Sequence, residues 1–200
     1  MTSMQAGLRE RKKAKTRAAI QRHALRLFQE QGYAATTVDQ IAAAAEVSQS
    51  TFFRYFPTKE DVVLLDDYDP RMLQALQEQP PDVPPVRAIR GAIRRVFEAI
   101  DAADWEREQQ RQRLIQTVPE LQARAMQQYV KTIELLAVAL TEREGLPIDD
   151  FNARVLAGAV IGASIGATMH AVGGEYELSD MDLVDQALGL LEDGLPLGGS

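Results

Sequence analysis

The chain has 200 residues, of which 46% are hydrophobic and 26% are charged, a composition typical of folded globular proteins. It contains no cysteine, which excludes disulfides, cysteine-ligated zinc, iron–sulfur clusters and thiol catalysis, and it has only two histidines. We therefore expect no metal site and no cofactor. The amino-terminal segment is charged where a secretory signal has an apolar run, so we expect a cytoplasmic protein.

The net charge of −7 conceals a division between two parts of the chain. Residues 1–60 contain ten Lys or Arg and five Asp or Glu, a net charge of +5, whereas residues 61–200 contain twelve and twenty-four, a net charge of −12. A basic segment attached to an acidic remainder indicates a protein that contacts nucleic acid on one side only.

Apolar residues spaced by three and four positions predict helices through most of the chain. In the first part they indicate four helices. A long helix is predicted at about Arg11–Gln31, a short one after Thr37, a second short one at Ser48–Phe56 and a fourth at Lys59–Gln79. Gly32 suits the left-handed end of the first helix, and the hydroxyls of Thr37 and Ser48 can cap the second and third.

Four prolines in residues 80–85 prevent a continuous helix and mark the clearest boundary in the sequence. Beyond it, helices are predicted at about Val86–Trp105, Arg107–Val118, Pro119–Arg143, Phe151–Val172 and Ser179–Gly194. Asp149 or Asp150 can cap the fourth of these helices, and Gly173–Gly174 is expected to end it. No alternating apolar run is long enough to predict a sheet, so we predict an all-α fold.

Two short helices joined by a tight turn, behind a basic helix, form the pattern of a helix-turn-helix. In this motif one helix buries one face against its neighbour and offers a polar face to the major groove of DNA, about 12 Å wide. Val47, Phe52 and Phe56 have the spacing of the buried face. The opposite face holds Gln49, Ser50, Phe53 and Arg54.

The segment Thr36–Glu60, which reads TTVDQIA before the turn and VSQSTFFRYFPTKE after it, resembles the DNA-binding domain of TetR/AcrR-type transcriptional regulators. The resemblance covers roughly Arg11 to Leu65. It implies a DNA-binding domain at residues 1–58 and a helical effector-binding and dimerisation domain at residues 59–200. It further implies a homodimeric repressor that a small molecule releases from a palindromic double-stranded DNA operator, with recognition helices about 34 Å apart.

The same resemblance implies a set of phosphate contacts, from Thr37, Ser48, Thr51, Tyr55 and Lys59. It implies base reading by Gln49 and Ser50, and a glutamine amide suits adenine because it both donates and accepts. Arg54 is predicted to reach a phosphate, with a guanine as the alternative. Basic residues between Arg9 and Arg17 would add affinity that falls with salt.

Two residues depart from the family pattern. Phe53 stands where the family commonly has Tyr, which leaves only packing against a sugar or a thymine methyl. Glu46 stands where Gly is common in the turn, and a left-handed conformation there would cost roughly 1 kcal/mol or more.

Residues 155–172 are almost continuously apolar or small, and their length reaches the lower limit for a membrane span. Polar residues within the stretch and the lack of a basic flank after it favour a helix that does not cross a membrane. Gly158, Gly162 and Gly166, four positions apart, form a groove that lets another helix approach closely. The family resemblance implies a dimer interface here, to which Val184 and Leu188 of the last helix would contribute; packing inside one chain is the alternative.

An effector pocket is expected among the middle helices, with Trp105, Met126, Tyr129, Met169 and His170 as candidate lining residues. An ordinary core role is the alternative for each of them. The segments RLI at 113–115, PEL at 119–121 and RVL at 154–156 resemble the mycofactocin-regulator-like branch of the family, which implies an acyl-CoA or another hydrophobic effector. No nucleophile motif, paired catalytic carboxylates or phosphate-binding loop is present, so we do not expect an enzyme. A DNA-binding adaptor without an effector is the alternative function.

Overall fold

The computed structural model describes residues 3–65, 68–170 and 179–196, without the side chains of residues 3–10, 69, 169, 170 and 179–181. The described residues form ten α-helices and no strand, as the all-α prediction requires. The helices are α1 (Ser3–Gln31), α2 (Val38–Ala44), α3 (Gln49–Tyr55), α4 (Asp61–Leu64), α5 (Tyr68–Gln77), α6 (Pro85–Glu98), α7 (Ala102–Thr117), α8 (Pro119–Glu144), α9 (Phe151–His170) and α10 (Ser179–Glu192).

The chain divides into two compact units. Unit 1 contains residues 1–65 together with residues 110–124, and unit 2 contains residues 66–109 and 125–200. Unit 1 therefore combines the predicted helix-turn-helix region with the end of α7 and the start of α8. The predicted domain boundary after residue 58 stays a prediction.

The core of unit 1 fixes α2 and α3 against α1. Ile20 of α1, Ile41 of α2, Phe52 of α3 and the following Phe56 are all completely buried. The Phe52 and Phe56 rings lie 6.0 Å apart, so both aromatic residues act as core, as their spacing predicts. Val47 in the turn is half-buried.

The predicted caps define the short helices. The Thr37 hydroxyl accepts from the Gln40 amide, and the Gln40 side chain accepts from the Thr37 amide, a reciprocal capping box at the start of α2. The Ser48 hydroxyl accepts from the Thr51 amide at the start of α3. At the end of α1, Gly32 has a φ of +86°, a conformation that glycine adopts without a Cβ penalty.

The predicted continuous fourth helix, Lys59–Gln79, is wrong. Helix α4 ends at Leu64, and Leu65 has extended backbone angles before α5 begins at Tyr68. Pro70 supplies a physical reason, because a proline inside a continuous helix would lose one backbone bond and clash with a carbonyl of the preceding turn. A helix that begins at Tyr68 takes Pro70 in its first turn, where the missing amide costs nothing.

The helix predicted to reach Trp105 also ends earlier, at Glu98. Asp101 accepts a hydrogen bond from the Asp104 amide at 2.8 Å and so caps α7, which contains Trp105. The apolar spacing of α6 continues past its end, so the spacing alone does not indicate this cap.

The core of unit 2 is formed by α5, α6, α8, α9 and α10, through Leu76, Ile89, Leu140, Val160 and Leu188. Asp150 caps α9 by accepting from the Ala153 amide at 2.9 Å, as one of the two predicted alternatives requires. The expected helix stop at Gly173–Gly174 lies outside the described residues.

Helix α9 is apolar but poorly buried. Residues 151–168 have a mean hydropathy of 1.2, so by length and composition alone the segment is long and apolar enough to cross a membrane. Only 17% of these residues are buried. Within the described part of the chain, no atom outside the helix's own turns lies within 4 Å of the position a Cβ would take at Gly158, Gly162 or Gly166. Contacts inside one described chain therefore do not require these three glycines.

Candidate functional site

Helix α3 has one closed face and one open face. Its Phe52 is buried in unit 1, whereas Gln49, Ser50, Phe53 and Arg54 on the opposite side are exposed, Phe53 to 47%. The helix has only seven residues, short enough to present its first turn to a groove. The structure thus gathers the predicted base-reading residues on one exposed surface, the α3 outer face.

Hydroxyl groups cluster where α3 begins. The Ser48 Oγ lies 2.9 Å from both the Ser50 Oγ and the Thr51 Oγ1 while it caps the helix. Thr37 occupies the equivalent cap position on α2 and is exposed. The predicted phosphate contacts of these hydroxyls stay predictions.

Gln49 makes a contact that the sequence analysis missed. Its Nε2 donates to Oδ1 of Asp39, an exposed residue in the first turn of α2. Asp39 precedes Gln49 by ten residues, and the turn between α2 and α3 brings the two side chains together. No periodicity in the sequence could indicate this pair, because the residues lie on different helices.

The Arg54 guanidinium lies 5.4 Å from the centre of the Tyr55 ring. The two side chains therefore make a cation–π contact, in which Arg54 is exposed and Tyr55 is half-buried. Both side chains remain candidates for contacts to DNA phosphates.

Lys59 lies in a well-defined intramolecular position. Its Nζ donates to the Tyr33 carbonyl at 2.9 Å and to the Thr36 carbonyl at 3.2 Å, and lies 4.1 Å from the centre of the Tyr33 ring. An ammonium group has three hydrogens, so one is left for another acceptor. The predicted phosphate contact of Lys59 stays a prediction, now beside a structural role.

Tyr33 and Glu60 extend this arrangement. The Tyr33 hydroxyl donates to the Glu60 carboxylate at 3.1 Å. Burial and the neighbouring negative charge of Glu60 raise the pKa of the Tyr33 hydroxyl. Burial alone would raise the pKa of Glu60, but hydrogen bonds from its own amide, Thr58 and Tyr33 outweigh it and lower that pKa.

Glu46 has a left-handed backbone, with a φ of +54°. This is the conformation expected of the residue where the family commonly has glycine. The exposed Glu46 side chain therefore adds strain and a negative charge to the turn that precedes α3.

The basic residues of α1 are mostly free of the core. Arg11, Lys12, Lys13 and Lys15 are exposed, and the guanidinium of Arg17 lies 5.2 Å from the centre of the Phe56 ring. The side chain of Arg9 lies outside the described residues. The exposed cations suit sequence-independent attraction to phosphates.

Two arginines from residues 110–124 bind α4 within unit 1. The buried Arg111 donates from Nη1 to the Val63 carbonyl at 3.0 Å, and Arg124 Nη2 lies 3.4 Å from Oδ1 of Asp61. These contacts join α4 to residues that are continuous in sequence with unit 2 on both sides. Sequence reasoning missed them because the partners are 48 and 63 residues apart.

The candidate effector residues are not gathered at one described cavity. Trp105 is half-buried and packs edge-on against Phe97, with ring centres 6.4 Å apart, whereas Met126 is 59% exposed and Tyr129 is half-buried. The side chains of Met169 and His170 lie outside the described residues. A 280 Å³ groove in unit 2 has other lining residues, Glu134, Ala137, Val138, Thr141, Asp149, Asp150 and Arg154.

The candidate dimer residues fall into two groups. Gly158, Gly162 and Gly166 lie on a largely exposed face of α9, together with the exposed side chains of Phe151 and Val155. We call this face the α9 glycine stripe. Val184 and Leu188, by contrast, are buried in the core of their own chain, 5% and 0% exposed.

Across residues 3–65, 68–170 and 179–196, no three His, Asp or Glu side chains are grouped to hold a metal ion.

Two family models match the chain. Residues 20–65 match the model of bacterial regulatory proteins of the tetR family, and residues 83–196 match the model of the MftR C-terminal domain. The first match covers the region with the α3 outer face, and the second covers more than half of the chain.

Individual proteins agree with these matches. The chain is 38% identical to the HTH-type transcriptional regulator TcmR of Streptomyces glaucescens, over 72% of this chain and 67% of TcmR. It is 29% identical to MftR of Mycobacterium tuberculosis, named as a mycofactocin biosynthesis transcriptional regulator, over 80% and 81% of the two chains.

Solved structures share the fold at lower identity. Thermus thermophilus FadR, a TetR-family repressor in complex with lauroyl-CoA, superposes with a TM-score of 0.52 and 24% identity over 92% of this chain and 97% of FadR. SmeT, the repressor of the Stenotrophomonas maltophilia efflux pump SmeDEF, gives a TM-score of 0.57 and 19% identity over 92% and 94%.

Proposed function

Because this chain belongs to the TetR family of transcriptional regulators and carries an MftR-type C-terminal domain, we propose that it is a homodimeric repressor. It binds a palindromic operator through α3 and releases that operator when a small hydrophobic molecule binds unit 2. The family is not enzymatic, so the function is regulation of transcription.

The α3 outer face carries the proposal of operator binding. It combines an amide at Gln49, a hydroxyl at Ser50 and a cation at Arg54, all exposed on a helix whose other side is fixed by Phe52, and the exposed hydroxyl of Ser48 lies at the start of that helix. Amide groups read base edges, whereas hydroxyls and cations bind phosphates. The exposed cations of α1 add attraction that depends on salt.

The α9 glycine stripe supports the proposal of a homodimer. Only 17% of residues 151–168 are buried, and the apolar side chains of Phe151 and Val155 are 75% and 52% exposed, which is unfavourable in water unless another surface covers them. Glycines with nothing of the described chain beside them let a second helix approach to backbone contact. A two-fold dimer would pair this stripe with itself and would also give two copies of α3, as a palindromic operator requires.

The C-terminal domain supports the proposal of a hydrophobic effector, with an acyl-CoA as the first class to test. Two solved structures that share the fold hold hydrophobic molecules: FadR is in complex with lauroyl-CoA, and a second structure of SmeT is a complex with triclosan. The aromatic cluster of Tyr68, Phe97 and Trp105, with ring centres 6.0 and 6.4 Å apart, offers unit 2 an apolar surface for such a molecule.

Residues 110–124 are the proposed connection between effector and operator. They belong to unit 1 through the bonds of Arg111 to Val63 and of Arg124 to Asp61, and the chain continues from them into unit 2. An effector that favours a different position of this segment would move α4 and thus the spacing of the two α3 helices. A few kcal/mol of differential binding are sufficient to release DNA.

The test is a footprint of the full-length protein on the DNA beside its own gene, over a series of salt concentrations. A protected two-fold site with affinity that falls steeply with salt is expected, and Gln49→Ala should relax sequence preference while Lys13→Ala weakens binding to all sequences alike. Absence of protection on every promoter fragment at low salt would overturn the proposal.

The effector is tested on the same complex. Lauroyl-CoA, free CoA and a hydrophobic cation are added in turn, and release of the operator is measured. Release by lauroyl-CoA, but not by CoA, supports the acyl-CoA class, and Arg124→Ala should reduce the release more than it reduces operator binding. Retention of DNA with all three compounds would favour the adaptor without an effector.

We place the protein in the cytoplasm, where operator and acyl-CoA are both present.

A further inference from the structure

We propose that Asp39 determines base selectivity by holding the side-chain amide of Gln49 in one orientation. The inference deepens the proposed function and rests on it, since it concerns how α3 reads an operator. The observation is the hydrogen bond from Gln49 Nε2 to Asp39 Oδ1, which links the first turn of α2 to the first residue of α3. Both side chains are exposed on the α3 side of unit 1.

The chemistry of the pair fixes the amide. A carboxylate only accepts hydrogen bonds, so the Asp39 oxygen must face the nitrogen of the Gln49 amide rather than its oxygen. The nitrogen carries two hydrogens, and Asp39 takes one of them. One N–H donor and the Oε1 acceptor remain for a base.

This donor and acceptor match adenine. In the major groove adenine offers N7 as an acceptor beside its N6 amino donor, and a glutamine amide binds both together. A free amide can turn over and present its nitrogen to the acceptors of guanine or its oxygen to the amino group of cytosine. Because Asp39 removes this freedom, Gln49 discriminates between bases that a free glutamine would accept.

A purely structural role makes a different prediction. Asp39 lies in the first turn of α2, where a negative charge interacts favourably with the helix dipole. If that were its whole contribution, its loss would change stability, or the affinity for every DNA sequence, by the same factor. Only the orienting role changes the preference at one base position.

The experiment is selection of binding sites from a randomised duplex library with the full-length protein. The base position read by Gln49 is first identified as the one where Gln49→Ala loses its preference. At that position, Asp39→Asn should reduce the ratio of affinities for adenine and the other bases by at least about fivefold, because an asparagine both donates and accepts and so permits either amide orientation. Asp39→Ala should do the same by leaving the amide free.

Two controls isolate the mechanism. Glu46→Gln removes a negative charge from the turn before α3 without replacing the partner of Gln49, so it should raise affinity for all sequences and leave base preference unchanged. In the Gln49→Ala background, Asp39→Asn should cause no further loss of preference, because the group it orients is gone.

Unchanged base preference in both Asp39 variants, with or without a uniform change in affinity, would overturn the inference while leaving operator binding intact. A wild-type protein that enriches no sequence would instead overturn the proposed function, and the inference with it. The two failures are therefore distinguished by the wild-type selection alone.

Discussion

The ammonium of Lys59 lies 4.1 Å from the centre of the Tyr33 ring and donates to the Tyr33 carbonyl oxygen at 2.9 Å. With its second bond, to the Thr36 carbonyl, it ties the connection between α1 and α2 to the start of α4. A residue implied by family resemblance to contact phosphate therefore also stabilises the unit that presents α3.

These contacts predict that Lys59→Met lowers the free energy of unfolding by about 1–2 kcal/mol, because two charge-assisted hydrogen bonds and a cation–π contact are lost at a half-buried site. Urea unfolding of the protein measures it. The matched control is Lys13→Met on the exposed side of α1, which should weaken DNA binding without measurable loss of stability. Equal stability of the two variants would mean that the Lys59 contacts contribute nothing to folding.

Glu46 provides a second prediction. Glu46 has a φ of +54°, a conformation that glycine adopts at lower cost, so Glu46→Gly should raise the free energy of unfolding by about 0.5–1 kcal/mol. The same substitution removes a negative charge and should therefore also raise the affinity for DNA. Glu46→Ala separates the two effects, since it removes the charge but keeps the strained backbone. We expect Glu46→Ala to raise the affinity for DNA, measured by titration with operator, and to leave the stability unchanged, measured by thermal unfolding. A stabilising Glu46→Ala substitution would contradict the strain argument.

A third prediction concerns acid stability and the ion pairs of unit 2. Arg90 of α6 binds Asp185 at 2.8 Å and Glu192 at 2.9 Å, both on α10, and the hydrogen bond from Arg90 lowers the pKa of the Asp185 carboxyl below its ordinary 3.8. A carboxyl with a lowered folded-state pKa contributes stability that is present above the unfolded-state pKa and is lost as the pH falls through the folded-state pKa. Stability should therefore decline as the pH falls below about 4.

Arg90→Met should make this decline shallower, because the folded-state pKa of Asp185 then rises towards its ordinary value, although Arg94, 3.3 Å from Asp185, still lowers it. Urea unfolding at a series of pH values measures how the free energy of unfolding depends on pH. Part of this dependence should remain in the variant, because the pKa of Glu60 in unit 1 is also lowered. Arg87→Met is the control, since Arg87 is 65% exposed and its ion pair with Glu192 should contribute little. An identical pH profile for wild type and Arg90→Met would refute the coupling.

The parts of the fold that could be predicted are those with local causes. Thr37, Ser48 and Gly32 define helix ends through bonds to residues within four positions, and the buried spacing of Phe52 and Phe56 follows from a single helix. The prediction of a continuous fourth helix is wrong because the apolar spacing continues from Lys59 to Gln79 and does not reveal the interruption before Pro70. Helix α6 was overextended because Asp101 competes with a continuing apolar pattern.

The site was predictable to the same extent. A family resemblance and helix periodicity together place Gln49, Ser50 and Arg54 on the outer side of α3, where the structure has them exposed. The partner of Gln49 could not be inferred, because the contact with Asp39 depends on the angle between two helices. The same holds for Arg111 and Arg124, whose contacts with α4 close long segments of chain.

The α9 glycine stripe leads to the last prediction. In one described chain nothing lies within 4 Å of a Cβ at Gly162, so Gly162→Leu should leave the monomer folded, with unchanged helix content by circular dichroism. In a two-fold dimer the new side chain enters twice between closely packed helices, and overpacking of this kind costs about 1–3 kcal/mol at each copy. The dissociation constant of the dimer should rise by at least about 30-fold, measured by analytical ultracentrifugation over a range of concentrations. Ala103→Leu, which adds the same side chain at an exposed position of α7, should leave it unchanged. If Gly162→Leu dimers dissociate at the same concentration as wild-type dimers, the interface lies elsewhere, and another partner must cover the apolar face of α9.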